Sequence, residues 1–264
     1  MIHHHPQPEA LWASLPALLV PLTAAAGYLL AVRRARRRNP ALGWSPWRTG
    51  AFLTGCALLA AALGPPLAPL AHGDFRGHML QHMLLGMYAP LALVLGAPVT
   101  LGLRTLPVRY ARRLTRLLHR RPVRLLAAPV TALLLTVGPL AALYFTPLYD
   151  AVARRPWAHP LLHAHFVAAG SLFAWAIAGP DPAPARPPVP ARLGVLGVAV
   201  AAHATISQLM YGGYGTGVHV PAAQLRGAAE VMYYGGDIAE LLLAAALVAT
   251  WRPVRRPRTA PRPA

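Results

Sequence analysis

The sequence contains no lysine, only seven acidic residues and a single cysteine among its 264 residues. Charged side chains make up 12% of the chain, about half of the roughly 25% that is usual in a soluble domain. Without lysine, the protein cannot form the Schiff base of a retinal photoreceptor. The one cysteine, Cys56, lies in an apolar run, so intrachain disulfides, CxxC redox motifs and cysteine-based zinc sites are excluded.

Apolar residues account for 56% of the sequence, and they are gathered in long runs. A helix of about 20 apolar residues crosses a hydrocarbon core of about 30 Å. The runs therefore predict an all-α integral membrane protein, a bundle of seven transmembrane helices within residues 11–250, with Pro65 and Pro66 interrupting the second helix. The predicted spans lie near residues 11–32, 48–70, 79–101, 125–149, 160–179, 192–211 and 229–250.

The arginines predict how this bundle is oriented, because connections rich in Lys and Arg remain in the cytoplasm. The segments after the first, third, fifth and seventh predicted spans contain 21 of the 25 arginines. This asymmetry places the N-terminal residues 1–10 outside the cell and the C-terminus inside. Residues 251–264 then form a basic cytoplasmic tail, and the arginine clusters require no nucleic acid partner.

With this orientation, eleven of the twelve histidines fall in or above the outer half of the membrane. Histidine is a proton carrier near neutral pH and a common metal ligand. His78 and His82 lie four residues apart at the start of the third span, so they share one helical face. This spacing is typical of two metal ligands supplied by one helix. Gln81 is a candidate hydrogen-bond partner of His78.

Methionines repeat beside this histidine pair. Met79, Met83 and Met87 have the same spacing but face about 100° away from the histidines. They either extend a soft metal site around the helix or pack against a neighbouring helix, and both alternatives stay open.

The fifth and sixth spans also carry histidines. One of His163 and His165 is expected to face the bundle interior, whereas His159 fits an interfacial position. His203 lies about 12 Å below the outer end of the sixth span. At that depth it needs a hydrogen-bond partner, such as Ser207 or a group on a neighbouring helix.

Two carboxylates lie in the last span. Asp237 and Glu240 share one face, at depths of about 12 to 17 Å if the helix starts near residue 229. An isolated charge there costs at least about 2.5 kcal/mol, so such groups are usually paired, protonated or functional. Gly235 and Gly236 allow another group to approach closely, which favours Asp237 as the functional carboxylate. Glu240 pairs with an arginine or stays protonated.

This mixture of donors suits one metal best. Imidazole, thioether and carboxylate groups without a useful thiol favour copper over a structural zinc or an iron–sulfur cluster. His3 offers a separate possibility, since a free terminal amine, two amides and this imidazole form a square-planar Cu(II) site. A polar outer cap explains His3 equally well.

Four segments together resemble a known family. HMLQHMLLGMYAPLALVLGAPVTL in the third span, the histidine-bearing fifth span, HATISQLMYG in the sixth and GGDIAELLL in the seventh are similar to the CtaG family of caa3-type cytochrome c oxidase assembly factors. The resemblance extends over roughly residues 10–250. It implies a seven-helix protein of the bacterial plasma membrane that helps to assemble a haem-copper oxidase by delivering or inserting copper at the outer face.

The resemblance also implies which residues act. Several polar positions match those of the family, and the resulting hypothesis is a non-enzymatic factor that holds Cu(I) transiently and passes it to an oxidase subunit. In it, Asp237 tunes the site or relays protons, and either His163 or His203 completes the ligand set. The candidate metal ligands are His78, His82, His163, His203, Asp237, Met79 and Met83.

Three other functions remain open at this stage. Two histidines on different helices, such as His82 with His163 or His203, are able to ligate haem iron from both sides. A membrane enzyme with a His-carboxylate metal centre is a second alternative, although the chain has few of the His boxes such enzymes use. A proton or ion transporter that uses Asp237 and the histidines as a relay is the third.

Overall fold

The computed structural model describes residues 8–183 and 186–251, and this part of the chain contains helices and no strand. The all-α class is therefore confirmed. His3, with the rest of residues 1–7, and the tail beyond Trp251 lie outside the described residues. The helices are α1 (Pro8–Arg38), α2 (Pro46–Leu63), α3 (Leu67–Gly73), α4 (Phe75–Met83), α5 (Ala89–Leu95), α6 (Pro98–Thr105), α7 (Val108–Leu118), α8 (Arg121–Leu126), α9 (Pro129–Phe145), α10 (Leu148–Ala153), α11 (Ala158–Ala178), α12 (Val189–Gly212) and α13 (Ala222–Ala249).

Within the described residues, five helical stretches are long and apolar enough to cross a membrane. They are the part of α1 from Pro16, the composite Phe75–Thr105, and α11, α12 and α13. Helices α2 and α3 form a sixth candidate, bent by 46° at the predicted interruption around Pro65 and Pro66. Multiple membrane spans are thus confirmed, while the count of seven and the orientation stay predictions.

The fourth predicted span is shorter than the sequence suggested. Helix α9 has 17 residues, and the two ends of the predicted range 125–149 fall in the separate helices α8 and α10. A helix of that length spans about 26 Å, slightly less than a typical hydrocarbon core. Pro147 accounts for its end, because a residue before proline avoids the helical conformation, and Thr146 is extended.

The third span starts earlier than predicted and is not a uniform α-helix. Asp74 caps α4 by accepting a hydrogen bond from the backbone N–H of Arg76 at 2.8 Å, so the helix begins at Phe75 rather than near residue 79. The Arg76 guanidinium also donates to this carboxylate and lowers the pKa of Asp74. His78 is therefore held inside the first turns of a helix instead of ahead of it.

A π-helical turn, Leu84–Tyr88, interrupts the same span between α4 and α5. Pro90 follows it and has no N–H, so the carbonyl of Gly86 cannot receive the α-helical bond from residue 90. Helix α11 packs against this turn. Gly170 lies so close to Gly86 that a Cβ on Gly170 would overlap the Gly86 carbonyl oxygen. Small residues at such a crossing let two backbones approach.

The remaining packing brings the third span, α9, α11, α12 and α13 around one space. Helix α13 lies against α12 and α4, while α11 lies against α5, α9 and the π turn. The starts of α4 and α13 meet where the backbone N–H of Phe75 donates to Gln224 Oε1 at 3.2 Å. We call this side of the bundle the histidine end and the opposite side, where α1 and α6 finish, the arginine end.

The loop between α11 and α12 fixes helix termini at the arginine end. Asp181 is buried and accepts hydrogen bonds from the backbone N–H groups of Val99 at 3.0 Å and Thr100 at 2.7 Å. From the first turn of α12, Arg192 donates to the carbonyl of Ile177 in the last turn of α11 at 2.5 Å. These contacts satisfy groups that helix ends leave unpaired, which gives the loop and the start of α12 a structural role.

The Gly86–Gly170 crossing predicts a selective sensitivity to substitution. Gly170→Ala should lower the stability of the purified protein by about 1–3 kcal/mol, because the added methyl group forces backbone and side chains apart. Gly194→Ala in α12 is the matched control, since a Cβ there meets nothing within 4 Å. Thermal unfolding in detergent measures both variants. Equal melting temperatures for the two variants would contradict the close approach of Gly170 to Gly86.

Cysteine labelling tests the orientation. In a Cys56→Ser background, a membrane-impermeant maleimide should label Arg155→Cys in intact cells, because the arginine-poor connection after α9 is predicted to be outside. Arg120→Cys should react only after permeabilisation. Both positions are exposed. The reverse pattern would show that the bundle is inverted.

Candidate functional site

His78 lies among aromatic side chains at the histidine end. It is buried, and its Nε2 is 3.3 Å from the hydroxyl of Tyr144 on α9. Its ring is parallel to Phe75 at a centroid distance of 5.7 Å and meets the edge of Tyr149 at 4.9 Å. The same Tyr144 hydroxyl is 3.9 Å from Sδ of Met79, so two predicted ligands share one polar neighbour.

An open pocket of about 400 Å³ lies at the same end of the bundle. We call it the mouth pocket, and His72, His159, His163 and Gln81 are its polar residues. The ring centroids of His72 and His159 are 5.0 Å apart, and those of His159 and His163 are 6.3 Å apart. Three imidazoles from α3 and α11 thus follow one another along this pocket.

At two of these histidines, hydrogen bonds determine which ring nitrogen carries the proton and which keeps a lone pair that is able to bind a metal ion. Gln81 Nε2 donates to the carbonyl of Ala62 at 2.7 Å, so its Oε1 is the atom 3.1 Å from His163 Nε2. Because Oε1 only accepts, His163 Nε2 must carry the proton and Nδ1 keeps its lone pair. His72 Nδ1 donates to the Ala68 carbonyl at 2.6 Å, which leaves the lone pair on Nε2.

His82 lies one turn further inside the bundle and is buried. Neither of its ring nitrogens has a hydrogen-bond partner in the described residues. The ring packs on Phe166 of α11 at a centroid distance of 4.4 Å. A Cβ on Gly86 would come within 3.3 Å of His82 Cε1, so the glycine of the π turn provides room for this imidazole.

His82 faces a cavity of about 60 Å³ within the bundle. We call it the inner cavity, and its ionisable residues are His82, His165, His203 and Glu240, set in an otherwise mostly apolar wall. His203 Nδ1 is 3.9 Å from Glu240 Oε1 on α13, a close approach that is longer than a hydrogen bond. The Ser207 hydroxyl bonds the backbone carbonyl of His203 instead of its ring.

Four buried polar atoms around this cavity lack a partner in the described residues: both nitrogens of His82, Nε2 of His203 and Oε2 of Glu240. Each such atom costs about 1–3 kcal/mol when it is left unsatisfied. A buried water needs about 10–15 Å³ of free space, so the inner cavity has room for a polar occupant. A Cβ on Gly236 would overlap the His203 ring, which shows that this glycine, too, accommodates an imidazole.

The predicted ligands do not all meet at this cavity. Asp237 is half-buried in an open groove beside Leu193 and Val200, between α12 and α13, and this groove shares Glu240 with the inner cavity. Helix α13 begins at Ala222 rather than near residue 229, which puts Asp237 about 22 Å from its start. Met83 packs towards Gly235 in the apolar core.

The fifth span contributes both of its candidate histidines, in different places. His163 lies in the mouth pocket and His165 faces the inner cavity. In the part of the chain that the structure describes, no three His, Cys, Asp or Glu side chains converge closely enough to hold a metal ion. The residues therefore form two successive polar sites and not one closed cluster.

Three features of these sites were not found from the sequence. Tyr144 gave no signal, because a tyrosine near the end of an apolar helix is common at an interface. The π turn has only Pro90 as a local sign. The third is the role of Glu240. The glycines beside Asp237 favoured that residue as the functional carboxylate, and the sequence does not show which helices pack against either carboxylate of α13.

Uncharacterized proteins of three mycobacteria are similar to part of this chain. An uncharacterized protein of Mycobacterium bovis is 42% identical over 196 residues, which are 69% of this chain and 29% of that protein. A protein of Mycobacterium tuberculosis gives the same values, and one of Mycobacterium leprae is 38% identical over 185 residues, 67% of this chain and 28% of its own. The chain spans less than a third of the length of these relatives.

No solved structure matches the chain. The profile of the family described as cytochrome c oxidase caa3 assembly factor matches residues 26–253, which include every helix of the two polar sites. Together with the apolar helices, this match identifies a multi-pass protein of the cell membrane. The chain belongs to the family of cytochrome c oxidase caa3 assembly factors.

Proposed function

We propose that this assembly factor holds Cu(I) transiently at the histidine end and delivers it to a subunit of a haem-copper oxidase at the outer face of the membrane. Copper is cargo in this proposal, and the protein performs no catalysis on it. The inner cavity carries the proposal, because His82, His203 and Glu240 present unpartnered buried donor atoms there. Imidazole and carboxylate donors without a thiol fit copper.

The mouth pocket supports the uptake step. Histidines that bind metals usually donate their second ring N–H to a carbonyl or carboxylate, which fixes the ring and exposes the other nitrogen. His72 and His163 have this arrangement, through Ala68 and Gln81. Three imidazoles along an open pocket offer an ion successive ligands before it leaves water completely.

His78 connects the two sites in this proposal. It shares a helical face with His82 and lies one turn closer to the histidine end. Met79 and Met83 are fully buried beside it, and thioethers select Cu(I) when they bind metal. Their contacts with Tyr144 and with α13 make packing their immediate role.

Charge explains why a carboxylate belongs in the inner cavity. A cation in a mostly apolar environment is costly unless an opposite charge lies nearby. Glu240 lies beside His203 and lines the cavity, so it is placed to offset the charge of a bound ion. The donors do not converge in advance, and such a site suits cargo that must leave again.

The alternatives from the sequence have less structural support. The cavity that joins His82 to His203 measures about 60 Å³, whereas pockets for larger organic ligands enclose about 300–1,000 Å³. Haem between these two helices would require a large rearrangement. A transport relay through Asp237 would reach the inner cavity only through Glu240, because Asp237 lies in the neighbouring groove and does not line the cavity.

Substitutions distinguish Glu240 from Asp237. His82→Ala and Glu240→Gln should each weaken Cu(I) binding about tenfold or more, and Asp237→Asn should leave it close to wild type. Competition with a chromophoric Cu(I) chelator on the detergent-purified protein measures affinity, and the copper content of the assembled oxidase measures delivery.

Thermal unfolding controls for loss of fold in these variants, and His82→Gln keeps a polar side chain at the same place. Wild-type copper affinity in folded His82→Ala and Glu240→Gln would refute the inner cavity as the copper site. A Soret band in the purified protein would instead favour the haem alternative.

The mouth pocket makes a kinetic prediction. The double variant His72→Ala/His159→Ala should take up Cu(I) several-fold more slowly, about tenfold at most, while its equilibrium affinity changes little, because the final ligands remain. Stopped-flow mixing with a Cu(I)-chelate donor measures the rate. His219→Ala is the control, an exposed histidine paired with Asp150 at the same end. Equal rates for both variants would remove the mouth pocket from the pathway.

A further inference from the structure

Helix α7 at the arginine end is strongly amphipathic. At 100° per residue, its four arginines fall within an arc of about 100°, and its apolar residues occupy the opposite side. None of its residues is buried. The arginines are Arg109, Arg112, Arg113 and Arg116, and the apolar residues are Val108, Tyr110, Ala111, Leu114, Leu117 and Leu118.

The charge of this region is not balanced within the chain. Residues 104–124 contain eight arginines, and no acidic residue occurs between Asp74 and Asp150. Among the described residues, none of these eight arginines forms a salt bridge. The region therefore presents free positive charge to an acidic partner.

The apolar side of α7 and α8 is also uncovered. The side chain of Val108 is 65% exposed, that of Leu117 48% and that of Leu125 67%. The main packing partners of α7 are its sequence neighbours α6 and α8. A helix with an apolar face and no fold to cover it requires another apolar phase.

The connectivity indicates which phase that is. Helices α7 and α8 connect the end of the span Phe75–Thr105 to the start of α9, so they lie at the membrane surface. Arg38 of α1 donates to the carbonyl of Leu106 at 3.3 Å and holds the start of the segment close to the bundle. An acyl boundary is thus within reach of the exposed leucines.

We propose that α7 lies in the interface of the cytoplasmic leaflet and binds anionic phospholipid headgroups through its four arginines. Its apolar residues then enter the acyl boundary, as in other amphipathic helices that lie on membranes. Arginine suits this role because its planar guanidinium binds phosphate through two parallel hydrogen bonds. The site is independent of copper and of the histidine end.

A fluorescent reporter tests this docking in the intact chain. Leu117→Cys in a Cys56→Ser background carries an environment-sensitive dye, and the protein is reconstituted in nanodiscs of phosphatidylcholine with or without a third of phosphatidylglycerol. The anionic lipid should shift the emission to the blue and reduce iodide quenching about twofold, and high salt should reverse the change.

Charge-matched variants separate docking from net charge. Replacing Arg109, Arg112, Arg113 and Arg116 with Gln should abolish the response to phosphatidylglycerol. Replacing the exposed Arg33, Arg34, Arg36 and Arg37 of α1 with Gln removes the same charge and should preserve it. Equal responses in the two lipids, or an unchanged response in the α7 variant, would overturn the proposal. The outcome of this experiment does not depend on whether the protein binds copper.

Discussion

Helix α11 approaches the π turn until Gly170 touches the carbonyl of Gly86, and the histidine end is built around that contact. Pro90 removes the donor that would otherwise occupy this carbonyl. The residues of α11 that face the third span then follow at helical spacing: Phe166 packs on His82 at 4.4 Å, and His163 reaches Gln81 at 3.1 Å. The close crossing thus accompanies the contacts by which α11 forms part of the inner cavity and of the mouth pocket.

The inner cavity combines apolar walls with unsatisfied polar atoms, and this combination is costly. Native proteins leave few buried donors or acceptors unpaired, and those that remain usually serve a function or bind an occupant. His82 is the extreme case, because both of its ring nitrogens lack a partner in the described residues. Gly86 and Gly236 preserve space for the rings of His82 and His203. Unpaired donor atoms with space around them are the features that the proposed transient binding of copper requires.

The sequence predicts the features that depend on the length of apolar runs and on the spacing of residues along one helix. Long apolar runs predicted the helices, and the four-residue spacing of His78 and His82 placed both on one buried face, as found. The direction in which a single side chain points depends on neighbours that are remote in sequence. For this reason His163 and His165 could not be separated, and the structure assigns them to the mouth pocket and the inner cavity respectively. Likewise, the position of Glu240 in the inner cavity could not be predicted, because it depends on how α12 and its His203 pack against α13.

One span, Phe75–Thr105, carries His78 and His82 near its start and leads into α7 at its end. A rigid α-helix would couple the depth of both ends, since a shift of one residue moves every side chain by about 1.5 Å along the axis. This span has two breaks in its regular geometry, the π turn and Ala97, whose φ of 52° is left-handed. Both breaks lie between the histidines and α7, so the chain that joins the proposed copper site to the proposed lipid-binding helix is not one regular α-helix.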